Sequence, residues 1–284
     1  MGDSLAAVEA VLRFGAFLGV FVLVALWEVL APKRQPRFTR AQRWPHNLGL
    51  IALNAGIVRL VAPGAAIAVA MAGEAHGWGL LNVVALPSWA AILLGVVLLD
   101  LAIYFQHVLF HAVPVLWRLH RVHHADEDYD VTTGLRFHPI EILLSLGIKC
   151  AVIAALGAPA VAVLAFEVML NGASMFNHAN ARLPLVVDRW LRWLVVTPDM
   201  HRVHHSVIRR EFNSNFGFNL PWWDHLFGTY RAQPAVSHEA MRIGVDGLQG
   251  PGELRLTRLL TQPLREAGPA ASIDGRHTDI VSHP

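Results

Sequence analysis

Four apolar stretches, each long enough to be measured against a lipid bilayer, constrain this chain of 284 residues more than any other feature. They run from about Val11 to Leu30, from Leu48 to Met71 with Arg59 interrupting, from Trp89 to Phe105, and from Ile140 to Met175. Composition agrees: 54% of residues are hydrophobic and only 15% are charged, where a soluble domain carries about a quarter charged residues. The last stretch is nearly twice the length of one span and is broken at Leu156–Ala160, "LGAPA". Gly and Pro there predict a re-entrant hairpin that returns the chain to its starting side. The expected fold is therefore an all-α integral membrane bundle of about four apolar regions.

Charge placement orients it. Residues 32–47 hold Lys33, Arg34, Arg37, Arg40 and Arg43, whereas 72–88 hold no Lys or Arg, so the first loop is expected in the cytoplasm and the second outside. Arg118, Arg121 and Arg136 return the chain to the cytoplasm after the third span. With a hairpin at 140–175, everything beyond it stays there, including Arg182, Arg189, Arg192, Arg202, Arg209 and Arg210. The N-terminal stretch lacks a basic leader and a small-residue cleavage site and reads as a retained span. The single cysteine, Cys150, leaves no intrachain disulfide and no cysteine metal site.

On that cytoplasmic side the pentapeptide HRVHH occurs twice, at 120–124 and 201–205. Helical spacing groups His120, His123 and His124 on one side, and His201, His204 and His205 likewise; His107 and His111, at i and i+4, end the third span. Eight imidazoles exceed what one transition metal can use and suit two adjacent ions. His138 and His178 stand singly nearby. Nitrogen ligation suits iron, zinc, copper or nickel, and two closed tetrahedral zinc sites would also absorb eight ligands. Acids should balance the charge: Asp126, Glu127, Asp128, Asp130, Asp199, Glu141, and Asp100 at membrane depth. Trp222, Trp223 and Tyr230 read as interfacial packing, and Asp224 as the residue that fixes its turn.

In their order, "HVLFH", "LWRLHRVHH", "TTGLRFHPIE", "NHANARLP", "TPDMHRVHHS" and "NFGFNLPWWDHLFGTY" resemble the sterol desaturase / fatty acid hydroxylase superfamily over about residues 95–245. The resemblance implies a membrane enzyme with a His-ligated pair of non-haem irons, using O2 and two external electrons to hydroxylate or desaturate a lipid. The implied ligands are His107, His111, His120, His123, His124, His201, His204 and His205, with His138 and His178 as further ligands and no separate catalytic residue. Several relatives carry an H-x-x-x-H before the "LP" motif; here Ser174 stands four residues before His178, and His138 is the expected replacement. The implied partners are a membrane lipid and a ferredoxin- or cytochrome-like electron donor, with no nucleic acid. The implied setting is a bacterial inner membrane with the metal site cytoplasmic.

The expected division is 1–94 as N-terminal spans, 95–245 as catalytic domain and 246–284 as a polar, largely disordered tail, in which 252–267 have the pattern of a short amphipathic helix. Two other classes compete: a His-rich membrane metal transporter or metal-binding protein, and a zinc-dependent membrane hydrolase. The first needs ligands along a transmembrane path, yet polar residues noted in the spans are few; the second lacks an H-E-x-x-H. Neither the lipid nor the choice between hydroxylation and desaturation is legible in the sequence.

Overall fold

The computed structural model describes residues 2–266. Helix α1 (Gly2–Leu30) rises to the face that carries the histidines, and α2 (Arg40–Val61) with α3 (Ala65–His76) descends from it. The short α4 (Leu80–Val83) turns the chain, α5 (Ser88–Ala112) climbs back, and α6 (Pro114–His124) lies across the top. Helices α7 (Pro139–Leu156) and α8 (Ala160–Asn177) form the predicted hairpin. A cap follows, with α9 (Leu185–Leu191), α10 (Pro198–His204), α11 (Arg209–Phe212), α12 (Trp222–Leu226) and α13 (Leu256–Thr261). Among the described residues there is no β-strand, only isolated bridges at Pro32–Ala181 and Ser206–Ile243.

Five stretches are long and apolar enough to cross a membrane: Val11–Leu30, Arg40–Val83, Ser88–Ala112, Pro139–Leu156 and Ala160–Asn177. The second apolar region is not one helix. The capping box of Thr39 and Gln42 starts α2 at Arg40, eight residues before the apolar run, and a break at Ala62–Gly64 separates α2 from α3. The early start makes Arg43, Trp44 and Asn47 part of a helix that reaches into the cap.

The hairpin closes because Gly157 adopts φ +62°, left-handed backbone that β-carbons disfavour, and donates its N–H to Ile153 O at 2.8 Å. A Cβ on Gly157 would stand 2.5 Å from Trp78 O, and one on Gly79 2.2 Å from Gly157 N, so the tip is also where two backbones touch. The middle of the bundle is a dry cluster of Ala66, Ala70, Leu99, Ile153, Val163 and Phe166 from α3, α5, α7 and α8. Leu60, Leu93 and Val161 lie exposed on the outer surface, where hydrocarbon rather than water is the natural solvent. At about 1.5 Å per residue α5 is longer than the apolar core of a bilayer, which brings its last turns, with His107 and His111, into the cap.

Residues 246–266, the start of the segment expected to be a disordered tail, are ordered, because α13 buries Leu259 against Leu50 and Val122. The flanking carbonyls of Gln262 and Arg265 accept from Arg121, and that of Pro263 from Arg118. The expected helix over 252–267 is a 3-10 turn, Pro251–Leu254, followed by α13. The remainder of the tail, with His277 and His283, lies outside the described residues.

Candidate metal centre

Helices α5, α6 and α10 and the end of α8 bring nine histidines together in two groups. One contains His107, His111, His120, His124 and His204; the other contains His123, His178, His201 and His205. In each group one ligand atom per residue lies within 4.8 Å of all the others. The groups adjoin, with the His124 and His205 rings stacked at 4.3 Å between centroids. Each HRVHH is divided between them. Its i and i+4 histidines serve one group and its i+3 histidine crosses to the other, and the second copy does the same with the groups exchanged. The four-histidine group is one ligand shorter: where the larger group has the i, i+4 pair His107 and His111, it has Ser174 and His178.

Carbonyl and carboxylate acceptors fix five of the rings. The Nδ1 of His107 faces Phe216 O at 2.8 Å, His123 faces Thr133 O at 3.0 Å, His178 faces Ser174 O at 2.7 Å and His204 faces Ser214 O at 2.7 Å. His120 Nδ1 lies 2.6 Å from Glu141 Oε1. With Nδ1 donating, each ring is held in the tautomer whose Nε2 carries a free lone pair.

The loop after α10 is built to aim two of those carbonyls. Asn215, at φ +53°, donates to Met200 O and Arg231 O at 2.8 Å each, and Asp224 accepts from Phe216 N and Gly217 N at 2.8 Å each. A Cβ on Gly217 would meet Asp224 Oδ2 at 2.7 Å, so the glycine is required by this close approach. Asp224 thus fixes its turn, and through it the rings of His107 and His204.

The donor set fits metal cations. His178 Nε2 lies 3.0 Å from His123 Nε2 and 3.2 Å from His205 Nε2, and bare lone pairs at that separation repel unless a cation or proton joins them. Buried Nε2 atoms of His107, His120 and His204, and both ring nitrogens of His111, His124 and His201, have no hydrogen-bond partner, the state in which buried imidazoles serve as ligands. Burial, reinforced by neighbouring imidazoles, pushes His123, His124, His201 and His205 well below the ordinary histidine range. Burial brings His178 and His204 down to about 3. The rings are neutral near pH 7, as metal ligation requires.

His138 is not brought to either group. Its Nδ1 accepts from Ile140 N at 3.2 Å, capping α7, and its Nε2 lies 3.2 Å from Leu260 O. Ser174 donates its hydroxyl to Gly134 O at 2.5 Å and offers its carbonyl to His178.

Ion pairs hold the cap to the bundle. Asp126, fully buried, accepts from Arg43 Nε and Nη2 at 3.1 and 2.7 Å and from Thr133 Oγ1 at 2.8 Å. Burial opposes its charge, but Arg43 and Arg136 outweigh that and keep its carboxyl well below the usual range. Arg43 also reaches Asp130 at 2.5 Å. Lys33 bonds Asp199 at 3.0 Å, Asp199 pairs with the buried Arg202, and Arg202 lies over the Tyr129 ring at 5.2 Å. Asp100 accepts from Asn219 at 2.7 Å and Trp223 at 2.8 Å, tying α5 to the loop that aims the carbonyls. Trp223 is thus more than interfacial packing.

A cavity of about 460 Å³ opens beside the larger group. His107, His120 and Glu141 line its upper end, and Lys149, Glu167 and Asn171 line it deeper in the bundle. Sequence reading overlooked this lining, although Glu141, Ser145 and Lys149 repeat at i, i+4 and i+8 and Glu167, Asn171 and Ser174 at i, i+4 and i+7, a polar stripe on each of two apolar helices.

The fold and the site together define a membrane-embedded helical protein built around two adjoining histidine metal-binding pockets. The fatty acid hydroxylase family matches residues 92–229. An ornithine lipid hydroxylase of Rhizobium tropici is 27% identical over 280 residues, covering 93% of this chain and 79% of that protein. An alkylglycerol monooxygenase of Xenopus tropicalis is 30% identical over 190 residues, 65% of this chain and 41% of that protein. A human cholesterol 25-hydroxylase is 30% identical over 147 residues, 49% of this chain and 51% of that protein. The chain thus covers less than two thirds of the length of the last two relatives. No solved structure matches it. The family match and these relatives support the resemblance to the sterol desaturase / fatty acid hydroxylase superfamily across the histidine-bearing part of the chain.

Proposed function

We propose that this protein is an O2-dependent lipid hydroxylase whose nine clustered histidines hold two irons. One observation carries the reading: two buried, all-imidazole pockets adjoin, and one of them meets a cavity running down into the membrane bundle. The relatives support the reaction class, being named as hydroxylases or a monooxygenase acting on ornithine lipid, alkylglycerol and cholesterol. The overall reaction is RH + O2 + 2e⁻ + 2H⁺ → ROH + H2O. Bound iron supplies the oxidising power toward an unactivated C–H bond, which no side chain can provide.

The chain's own residues do the rest. Carbonyls of Thr133, Ser174, Ser214 and Phe216 orient the ligands, and Glu141 orients His120. Phe137, stacked on His123 at 4.5 Å, forms part of the cavity wall and keeps that ring from water. The cavity lets a lipid reach the centre from within the bilayer. The excess of Lys and Arg on the histidine side supports a cytoplasmic centre in a bacterial inner membrane, and a soluble or membrane-bound ferredoxin- or cytochrome-like donor would deliver electrons to the cap.

The test is metal analysis with turnover. Purified protein should contain two irons per chain, consume O2 only with a reductant, and lose activity when a chelator strips the metal. Stable zinc with O2-independent activity would overturn the reading, as would a fully active iron-free protein.

A further inference from the structure

The cavity beside His107 and His120 is not lined as a slot for bare hydrocarbon. Three oxygens in its wall, Asn54 Oδ1, Gln106 Oε1 and Glu141 Oε2, are buried and have no hydrogen-bond partner. Asn54 and Glu141 are respectively 8% and 4% exposed, so bulk water does not serve them. All three stand at the histidine end. Asn54 bonds Phe137 O, Gln106 adjoins His107, and Glu141 holds His120. The polar groups deeper in the cavity are matched instead: Glu167 pairs with Lys149 and, at 2.6 Å, with Arg13. Glu141 and Lys149 are separated by about 12 Å along α7 at 1.5 Å per residue, so the ion cluster lies well away from the unmet oxygens.

The unmet atoms share one chemistry. Asn54 donates its amide nitrogen to Phe137 O at 2.8 Å and Gln106 donates to Ser145 Oγ at 2.7 Å, which leaves each amide oxygen without a partner. Glu141 engages His120 through Oε1, which leaves Oε2 without a partner. A hydrocarbon chain placed here would leave three acceptors unsatisfied, which weakens binding, whereas a hydroxyl or ammonium would satisfy them. The volume, about 460 Å³, is that of a pocket for a small ligand and suits a head group with the adjoining part of a chain.

Resting on the oxygenase reading above, we infer that the cavity selects lipids whose polar group carries a hydrogen-bond donor, ammonium or hydroxyl. The donor is held beside His107 and His120, so oxygen enters close to that polar group and not at the far end of the chain. Specificity falls to Asn54, Gln106 and Glu141.

The experiment uses the iron-loaded protein in phosphatidylcholine nanodiscs and four probes of equal chain length: hexadecylamine, hexadecanol, hexadecyl methyl ether and hexadecane. Native mass spectrometry reads binding, and product analysis reads the position of the new oxygen. The amine and the alcohol should bind about tenfold or more tighter than the ether and the hydrocarbon. An advantage of the amine over the alcohol assigns charge pairing with Glu141; equal binding assigns hydrogen bonding alone. Asn54→Leu should erase most of the preference with iron content unchanged, and Gln106→Leu gives a second variant should the first fail to fold. Equal binding of all four probes, a preference that survives both substitutions, or oxygen at the remote end of the chain would overturn the inference. Turnover without donor preference sinks this inference and spares the oxygenase reading. Selective binding without O2 consumption does the reverse.

Discussion

A His178→Ala substitution removes one of four imidazoles from the smaller group and is expected to cost about one metal ion per chain. His138→Ala, forty residues away in sequence, should leave metal content unchanged and cost about 1 kcal/mol of stability through the lost cap. Metal analysis beside thermal unfolding separates the two, and metal loss in His138→Ala would contradict its placement as a cap. Sequence reading treated both alike, because a single histidine at a helix terminus looks the same whether it caps or ligates. The eight histidines of the three boxes were legible because helical periodicity groups i, i+3 and i+4 residues before any tertiary contact forms. Their division into five and four was not, since each HRVHH gives its i+3 histidine to the opposite group.

The hairpin of α7 and α8 was readable from Gly157 and Pro159, while the break between α2 and α3 was not, although Pro63 and Gly64 mark it. Sequence periodicity carries through such a break, and only packing on α7 and α8 fixes where each half goes. Gly157→Ala should destabilise the protein by roughly 1–3 kcal/mol, from left-handed strain with the clash against Trp78 O added. Denaturant unfolding in micelles measures it, and unchanged stability would mean the tip is looser than described. The basic loop after α1 reads in sequence as a topology signal alone. In the structure Lys33 clasps Asp199, and Arg43, now on α2, clasps Asp126 and Asp130. Arg43→Met should therefore cost about 3–5 kcal/mol by leaving buried carboxylates without their partner. Conservative Arg43→Lys should recover only part of that, because a lysine cannot bridge two carboxylates bidentately.

For the whole molecule, the clustered neutral imidazoles make stability depend on pH with a definite sign. Histidines of the unfolded chain protonate near pH 6.5, whereas His178 and His204 in the folded protein resist protonation down to about 3. Their contribution is complete above the unfolded value and is lost as pH falls from about 6.5 toward 3, since the unfolded state then binds more protons. Metal-free protein should melt several degrees lower at pH 5.5 than at pH 7.5, and metal should narrow the gap by binding only the folded, neutral site. Melting curves with and without chelator check both effects; a metal-free protein insensitive to pH would contradict burial of the rings. If each of the five apolar stretches crosses the bilayer, Val11 and Glu266 should lie on opposite sides of the membrane, and cysteine labelling at these two positions from either side checks it.

The sequence by itself determined the medium and the chemistry. Apolar length is set against bilayer thickness, and histidine spacing is a property of the helix alone. Tertiary structure decided which nitrogens face one another, which carbonyls fix their tautomers, and that a cavity with three unmet acceptors runs beside them. Those features join residues as distant as Asn54 and Phe137 or His107 and Phe216. No local pattern encodes such pairs, because their separation depends on how every intervening helix packs.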